Sequence, residues 1–392
     1  MQNQRSEELT KKAEKFCNFK NNYFKENNSK NKYIQLFPNV NPDDWQSYTW
    51  QLKNRFNNIC EINKIFNTDL DLKLNDYLWA VTPHFLSLIK EGNYGDPIFS
   101  QIIPSNMESI DNWGDLDPMD EINTQPVNRI TRRYPDRIII NVTNMCFSYC
   151  RYCQRKRNFS NRINVISDNE LSVVINYIKT HHEIRDVLIT GGDPLTLNDS
   201  YLMKIISKLR EIKHIEIIRI GTRALSFLPQ RITDAFVKKL KRYKPLYINT
   251  QFNHPNEISR ETEFACNLLV DNGIVLGNQS VLLKGINDNT FTLQLLNQLL
   301  VKNRIRPYYI FHPKHINGTH HFYVSINRGI DIVSRLRGNT SGLCIPTYVI
   351  NTPGGFGKVP LYKNCISINN NNTAILNTWE NKLIKIHDDY EL

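Results

Sequence analysis

From residue 138 onward, short β-branched apolar runs alternate with amphipathic stretches of helical length, and this alternation restricts the fold more than any other feature of the chain. The runs cover 138–143, 186–190, 217–221, 246–249, 277–283 and 306–311. The helical stretches that follow them cover roughly 168–182, 199–212, 231–243, 258–272, 289–303 and 323–337. Strand–helix–strand units in series build a parallel sheet through right-handed crossovers. Six such units fall short of the eight that close a barrel. The expectation is an α/β fold: a partial, open (βα)6 TIM-like barrel over residues 126–340. Residues 1–125 read as a mainly helical N-terminal region and connector, and 341–392 as a short C-terminal segment. Within the first region, Asp43-Asp44 precede Trp45 and Trp50 at helical spacing. Asn75–Trp79 opens a further segment that Pro83 interrupts, and 112–128 reads as an extended connector. Near the end, Asn369–Asn372 reads as a loop and the stretch from Trp379 onward as helical.

Composition narrows the class. With 392 residues, 40% hydrophobic and 22% charged, the chain is of ordinary globular type. No apolar run reaches the length of a membrane span, and the first residues show no apolar signal core. Of eight cysteines, five (Cys17, Cys60, Cys266, Cys344 and Cys365) share no spacing, so no disulfide framework is expected and a reducing cytoplasm fits. The net charge of +11 comes from lysines dispersed among many Asn and Ile residues, which argues against a nucleic-acid partner. The densest basic run, Arg155-Lys156-Arg157, abuts the remaining three cysteines, where anionic cofactors would sit.

Those three are Cys146, Cys150 and Cys153, spaced C-x3-C-x2-C directly after the first apolar run. A [4Fe–4S] cluster has four iron corners and takes thiolates as its usual protein ligands. Three thiolates leave one iron open, and an open iron on a reducible cluster can bind and reduce a small molecule. That is the logic of radical S-adenosylmethionine enzymes. Two other readings stand beside it. A structural zinc site also uses close cysteines, though it wants four ligands in two pairs, and a group of buried thiols needs no metal at all.

The strand ends carry further candidates. Thr190-Gly191-Gly192-Asp193-Pro194 follows the second run, and its glycines allow the backbone close approach to a ligand; a plain β–α turn accounts for it equally. The fifth run contains Gly277-Asn278-Gln279-Ser280, and a buried strand glutamine is costly unless paired, so Gln279 is expected to face a ligand. The segment 346–358 reads as a strand and then a glycine-rich loop, Pro353-Gly354-Gly355-Phe356-Gly357-Lys358. It departs from the Walker A pattern because Val359 follows the lysine. On spacing alone Lys358 is a solvated surface lysine, and the alternative is a Schiff-base lysine.

Together these segments make the chain resemble the lysine 2,3-aminomutase family of radical S-adenosylmethionine, pyridoxal-phosphate-dependent enzymes. The resemblance runs from about Trp45 to Pro360. It is carried by Asp117-Pro118-Met119, Arg133-Tyr134-Pro135-Asp136-Arg137, the cysteine triad and Leu228-Pro229-Gln230-Arg231-Ile232. It continues through Phe252–Glu257, Leu276–Ser280, Arg306-Pro307-Tyr308-Tyr309 and Pro353–Lys358. It implies that Cys146, Cys150 and Cys153 ligate the cluster and that Lys358 carries pyridoxal phosphate. It implies pyridoxal-phosphate contacts from Arg133, Tyr134 and Arg137, and a place for Tyr152 near the adenine of S-adenosylmethionine. It implies that Arg155 pairs with the substrate α-carboxylate, with Gly191, Gly192, Asp193 and Gln279 among the cofactor contacts. Its reaction moves an amino group from C2 to C3 of an α-amino acid, fed by an electron donor such as flavodoxin or ferredoxin. A homo-oligomer is also implied.

Departures from the family pattern specify the substrate. Lysine-specific members place two aspartates around the substrate's side-chain amine, and this chain has Lys314 and Asn351 there. A cationic side chain facing Lys314 would be repelled by about 4 kcal/mol at roughly 4 Å and an effective dielectric near 20. L-Glutamate, yielding β-glutamate, is therefore the expected substrate. The alternative is another amino acid (lysine, arginine or one with a neutral side chain), and the lesser reading of Lys314 is a solvent-facing residue of the His312-Pro313-Lys314-His315 loop. Lysine-specific relatives also bind zinc through a C-terminal cysteine cluster and one internal cysteine. Here Asn289 stands at the internal position and no cysteine follows Cys365, so no zinc is expected and the family's usual subunit contact is put in question. Gln251, where relatives often have His, has no account from sequence.

Overall fold

The apolar runs become strands because most of them alternate a buried residue with a half-buried one, the period-two signature of a strand with two different faces. Strand β3 (Asp186–Gly191) shows it: Val187 and Ile189 are buried against helices, while Asp186, Leu188 and Thr190 look the other way. The computed structural model of the protein describes residues 2–26, 35–72, 77–110, 113–159, 162–369 and 373–387. Its main sheet has nine strands in sequential order. These are β1 (Ile130–Arg132), β2 (Arg137–Thr143), β3, β4 (Ile217–Gly221), β5 (Leu246–Thr250), β6 (Val275–Val281), β7 (Arg306–Phe311), β8 (Thr347–Asn351) and β9 (Lys358–Pro360). Strands β2 to β8 run parallel, and β1 and β9 close the two edges antiparallel. The edge strands do not pair with each other, so the barrel is open, as the count of β–α units implies.

The helices start where a side chain can serve the first free N–H groups. Ser167, Asn198, Thr233, Ser259, Asn289 and Ser325 each accept such a bond, and Ser167 and Glu170 form a reciprocal capping box. These caps explain where the boundaries depart from expectation. Thr233 delays one helix to Asp234–Leu240, and Ser325 delays the last to Ile326–Ser334, so the expected spans 231–243 and 323–337 are too long. Strand β6 spans Val275–Val281 instead of 277–283, because Gly273 at φ 76° ends the preceding helix early and lets Val275 pair with Tyr247.

Elsewhere the structure corrects the sequence reading. Pro83 opens the short helix Pro83–Leu86, capped by Thr82, and does not interrupt one; proline suits a first turn that needs no N–H there. The stretch from Trp379 onward is not helical. Strand β12 (Leu383–His387) joins β10 (Ile366–Asn369) and β11 (Thr373–Asn377) in a separate antiparallel sheet, because β-branched residues find cross-strand partners there. Asn369 therefore ends a strand, and the expected loop at Asn370–Asn372 lies outside the described residues, as do Asn75, Asp76 and Asn112. Residues 113–128 are not an extended linker. They fold back over the barrel mouth, with Asp115 bonded to His315 and Asn317, and Pro118 O accepting from Gly354 N at 3.1 Å. The N-terminal helix Gln2–Glu26 docks Phe16 among Leu295, Leu299 and Phe291. Among the described residues no helix is long and apolar enough to cross a membrane.

Candidate active site

A closed barrel fills its interior with branched side chains. Here the inward positions of the parallel strands include Arg219, Gly221, Asn249, Gln279 and Asn351, and they surround a cavity of about 750 Å³. Every residue singled out from the sequence as a site candidate lines that one cavity, the three thiols and Lys358 among them.

The cysteine loop follows β2 and is gripped from several sides. Arg55 Nη1 donates to Cys146 O at 3.0 Å, Tyr149 N to Ala80 O at 3.1 Å, and Arg151 N to Gln101 O at 2.9 Å. Beneath it, Arg151 and Lys156 share the buried carboxylate of Glu108, at 2.7 and 2.6 Å. The glycines after β3 bear on the same loop. A Cβ on Gly192 would lie 2.1 Å from Met145 O, and Gly192 N donates to Thr143 O at 2.5 Å. The close approach read from Gly191-Gly192 is thus made to the chain's own backbone as well as to the cavity. Asp193 is buried there with both oxygens engaged, by Thr222 Oγ1 and by the amides of Leu195 and Arg223; burial raises it to about 6 despite these bonds.

The three thiols fit a polynuclear cluster. Among the described residues no three His, Cys, Asp or Glu side chains converge tightly enough to cage a single metal ion. In a cluster each thiolate meets its own iron, and all three thiols line the one cavity. Donors already face the sulfurs: Arg223 Nη1 lies 2.9 Å from Cys150 Sγ, and Arg155 N lies 3.4 Å from Cys153 Sγ. Burial pushes the Cys153 thiol up to about 11, a cost that bound cations would reverse. Beside the triad, the Tyr152 hydroxyl accepts from Arg223, Asn253 and Gln251 and donates to Gln101 Oε1. That gives Gln251 a role the sequence did not suggest: it tethers Tyr152. Asn249 Nδ2 and Thr250 Oγ1, at the end of β5, are buried in the cavity wall with no hydrogen-bond partner among the described residues, as a polar cofactor would require.

The opposite wall suits a phosphorylated aldehyde. Lys358 begins β9 on a loop in which Gly354, Gly355 and Gly357 all have positive φ. A Cβ on Gly355 would come 3.0 Å from Met119 O and 2.9 Å from Arg133 Nε, so only glycine seats this loop under the connector. The Lys358 amine lies 5.2 Å from the Tyr134 ring, and the Arg137 guanidinium stacks 3.7 Å from that same ring. Lys358 is exposed as a whole residue, but loss of solvation where it lines the cavity, reinforced by Arg137, Arg219 and Arg133, lowers it to about 8. Arg133 Nε is buried without a hydrogen-bond partner among the described residues. A surplus of cations with an unspent donor calls for a dianion.

Between the walls sits a third charge group. Arg155 is buried and paired with Glu121, its Nη2 at 2.8 Å; Arg157 donates to the same carboxylate at 2.8 Å. These arginines hold Glu121 down at about 2 against the effect of its burial. The basic run 155–157 is therefore spent on internal carboxylates. Lys314 faces the cavity and not solvent, and donates to Gln154 Oε1. Burial, with Arg155, Lys358 and Arg133 nearby, lowers it to about 7 although Glu121 opposes the shift. Asn351 ends β8, paired in register with Lys358.

Glu121 and Arg219 were not legible as site residues. Arg219 carried one signal, a charge in the apolar run Ile217–Gly221, of the same kind that marked Gln279. Glu121 lay two residues beyond a quoted segment, in a stretch that local pattern reads as linker.

The radical SAM superfamily description matches residues 140–292, and the lysine-2,3-aminomutase description matches residues 333–388. The chain is 47% identical over 371 residues to glutamate 2,3-aminomutase of Clostridioides difficile, covering 93% of this chain and 87% of that protein. It is 42% identical over 357 residues to L-lysine 2,3-aminomutase of Clostridium subterminale, covering 89% and 86%. It is 41% identical over 356 residues to the L-lysine 2,3-aminomutase of Methanococcus maripaludis, covering 88% and 82%. With the thiol wall and the lysine wall facing one cavity, these likenesses establish that the chain belongs to the lysine 2,3-aminomutase family of radical S-adenosylmethionine enzymes.

Proposed function

We propose that the protein is a glutamate 2,3-aminomutase, moving the amino group of L-glutamate from C2 to C3 to give β-glutamate. Membership of the family brings a [4Fe–4S] cluster, S-adenosylmethionine and pyridoxal phosphate. When bound, they supply a radical and a carbonyl carrier for the migrating nitrogen. The observation that carries the substrate reading is the pair Lys314 and Asn351 in the cavity wall, a cation and an amide where an amine-bearing substrate would need carboxylates.

In this reading Cys146, Cys150 and Cys153 hold the cluster. Tyr152, Asn249, Thr250, Gln279 and the Gly191-Gly192-Asp193 turn surround S-adenosylmethionine. Arg133, Tyr134 and Arg137 hold the phosphate end of the coenzyme that Lys358 carries. With its pKa lowered to about 8, Lys358 keeps a sizeable neutral fraction near neutral pH, which a nucleophilic amine needs. Arg155 takes the α-carboxylate, and Lys314 with Asn351 takes the side-chain carboxylate. Two anionic ends gripped at separate points of the charge group between the walls orient C2 and C3 and leave little room for water. The reading further includes a flavodoxin- or ferredoxin-type electron donor, a cytoplasmic location and assembly with further copies of the chain.

The deciding experiment is product analysis. The protein is reconstituted anaerobically with iron, sulfide and pyridoxal phosphate. It is then reduced with dithionite in the presence of S-adenosylmethionine and single amino acids. β-Glutamate from L-glutamate is the expected product; β-lysine from L-lysine with no turnover of glutamate would overturn the reading.

A further inference from the structure

Resting on the α-carboxylate role proposed for Arg155, we infer that Glu121 is the positioning residue of this reaction: it turns the Arg155 guanidinium so that only its terminal edge is offered to the substrate. A guanidinium has five N–H donors. Glu121 takes the Nε–H, with both oxygens at 3.1 Å, and one hydrogen of Nη2 at 2.8 Å. Gly191 O takes one hydrogen of Nη1 at 3.4 Å. What remains is one hydrogen on each terminal nitrogen, a two-pronged fork of the kind that receives a carboxylate.

Without Glu121 that orientation rests on the long bond to Gly191 O alone. Arg133 and Lys314 share the cavity with Arg155 and repel it, and a long side chain freed from its partner regains rotamer freedom. Glu121 is itself immobilised. Arg157 donates to it at 2.8 Å and also pairs with Asp117 at 3.1 Å. Its backbone segment is pinned on either side of the glycine loop: Pro118 O accepts from Gly354 N, and Met119 O accepts from Arg133 Nη2 at 2.7 Å. The connector thus ties the α-carboxylate receptor to the loop that carries Lys358, fixing the distance between the two points where the substrate's α-carbon substituents are held.

The test compares wild type, E121Q and E121D, reconstituted with both cofactors, on L-glutamate and on its α-amide, which keeps the side-chain carboxylate and lacks the α-carboxylate. E121Q should raise the KM for glutamate by about thirty-fold, the scale of a misdirected charged hydrogen bond, with a smaller change in kcat. E121D should restore part of that loss. The inhibition constant of the α-amide should be the same in all three. An equal penalty on glutamate and its α-amide would mean a merely structural role and overturn the inference. A lower KM in E121Q would overturn it too, by showing that Glu121 competes for Arg155. Should E121Q not fold, E121D carries the comparison. If wild type converts no glutamate, the substrate reading fails alone. The same comparison then runs on whichever amino acid it does isomerise and that acid's α-amide, since the α-carboxylate is common to all.

Discussion

Replacing Lys314 by Met removes the charge at the side-chain end of the cavity while keeping most of the volume. A carboxylate about 4 Å from the ammonium, at an effective dielectric near 20, gains roughly 4 kcal/mol. Part of this is spent on charging the amine. In the free site burial, aided by the cations Arg155, Lys358 and Arg133 and opposed by the Glu121 carboxylate, leaves Lys314 at about 7. A lysine with a lowered value is charged below it and neutral above it. At pH 7 half the molecules must take up a proton, costing about 0.4 kcal/mol, and at pH 9 the cost is roughly 3 kcal/mol. Glutamate affinity in the wild type should therefore fall by about fifty-fold between pH 7 and 9. Lys314→Met should bind several hundredfold more weakly at pH 7, by about 3.6 kcal/mol, and be nearly flat over the same window. The assay is a glutamate titration of the holoenzyme followed by the visible spectrum of bound pyridoxal phosphate, at unit steps from pH 6 to 9. A Met variant within threefold of wild type, or one with the same pH slope, would refute the reasoning and return Lys314 to a loop residue.

Three further outcomes follow from the geometry. Lys358→Ala should lose covalent attachment of pyridoxal phosphate after borohydride reduction, read by intact mass; retention of the adduct would place the attachment elsewhere. Gly192→Ala puts a methyl 2.1 Å from Met145 O, backbone against backbone, so the cysteine loop must move. Iron incorporation should drop several-fold and unfolding should come more than about 2 kcal/mol earlier, as expected for a clash without a flexible partner, whereas a fully loaded Gly192→Ala protein would show that the loop yields. Arg151→Met removes one of the two cations that share the buried Glu108 carboxylate, at a cost of about 3–5 kcal/mol in urea unfolding of the cofactor-free protein; a change below 1 kcal/mol would mean that Glu108 takes up a proton instead.

Much of the fold was legible because it is periodic. The strands β2 to β5 and β7 fall within one residue of their expected ends, since alternation of apolar residues reports burial directly. The boundaries that slipped were set by single capping side chains such as Thr233 and Ser325, whose effect is decided by local geometry. The C-terminal stretch was misread because its few apolar residues satisfy a helical period as well as a strand period, and only pairing with β11 selects the strand. Among site residues, Gln279 announced itself as a polar group in an apolar run. Glu121 did not: an acidic residue among Asp, Pro and Gly has the composition of a solvated linker, and its burial beneath three arginines is created by partners at positions 133, 155 and 157.

Spacing along the chain was enough to mark the thiol triad, the parallel β–α order and the glycine-rich loop before Lys358, because each depends on neighbours a few residues away, whereas the roles of the thiols and of Lys358 came from the family resemblance. Only the folded chain decided what meets across the cavity. Lys314, Asn351 and Lys358 come from the last strands and their loops, Arg155 from the segment after β2, and Glu121 from a connector that crosses over the barrel mouth. Bringing them together requires the sheet to curve through nine strands and the connector to bond to two loops at once. That is a long-range balance of packing and charge that no local pattern encodes.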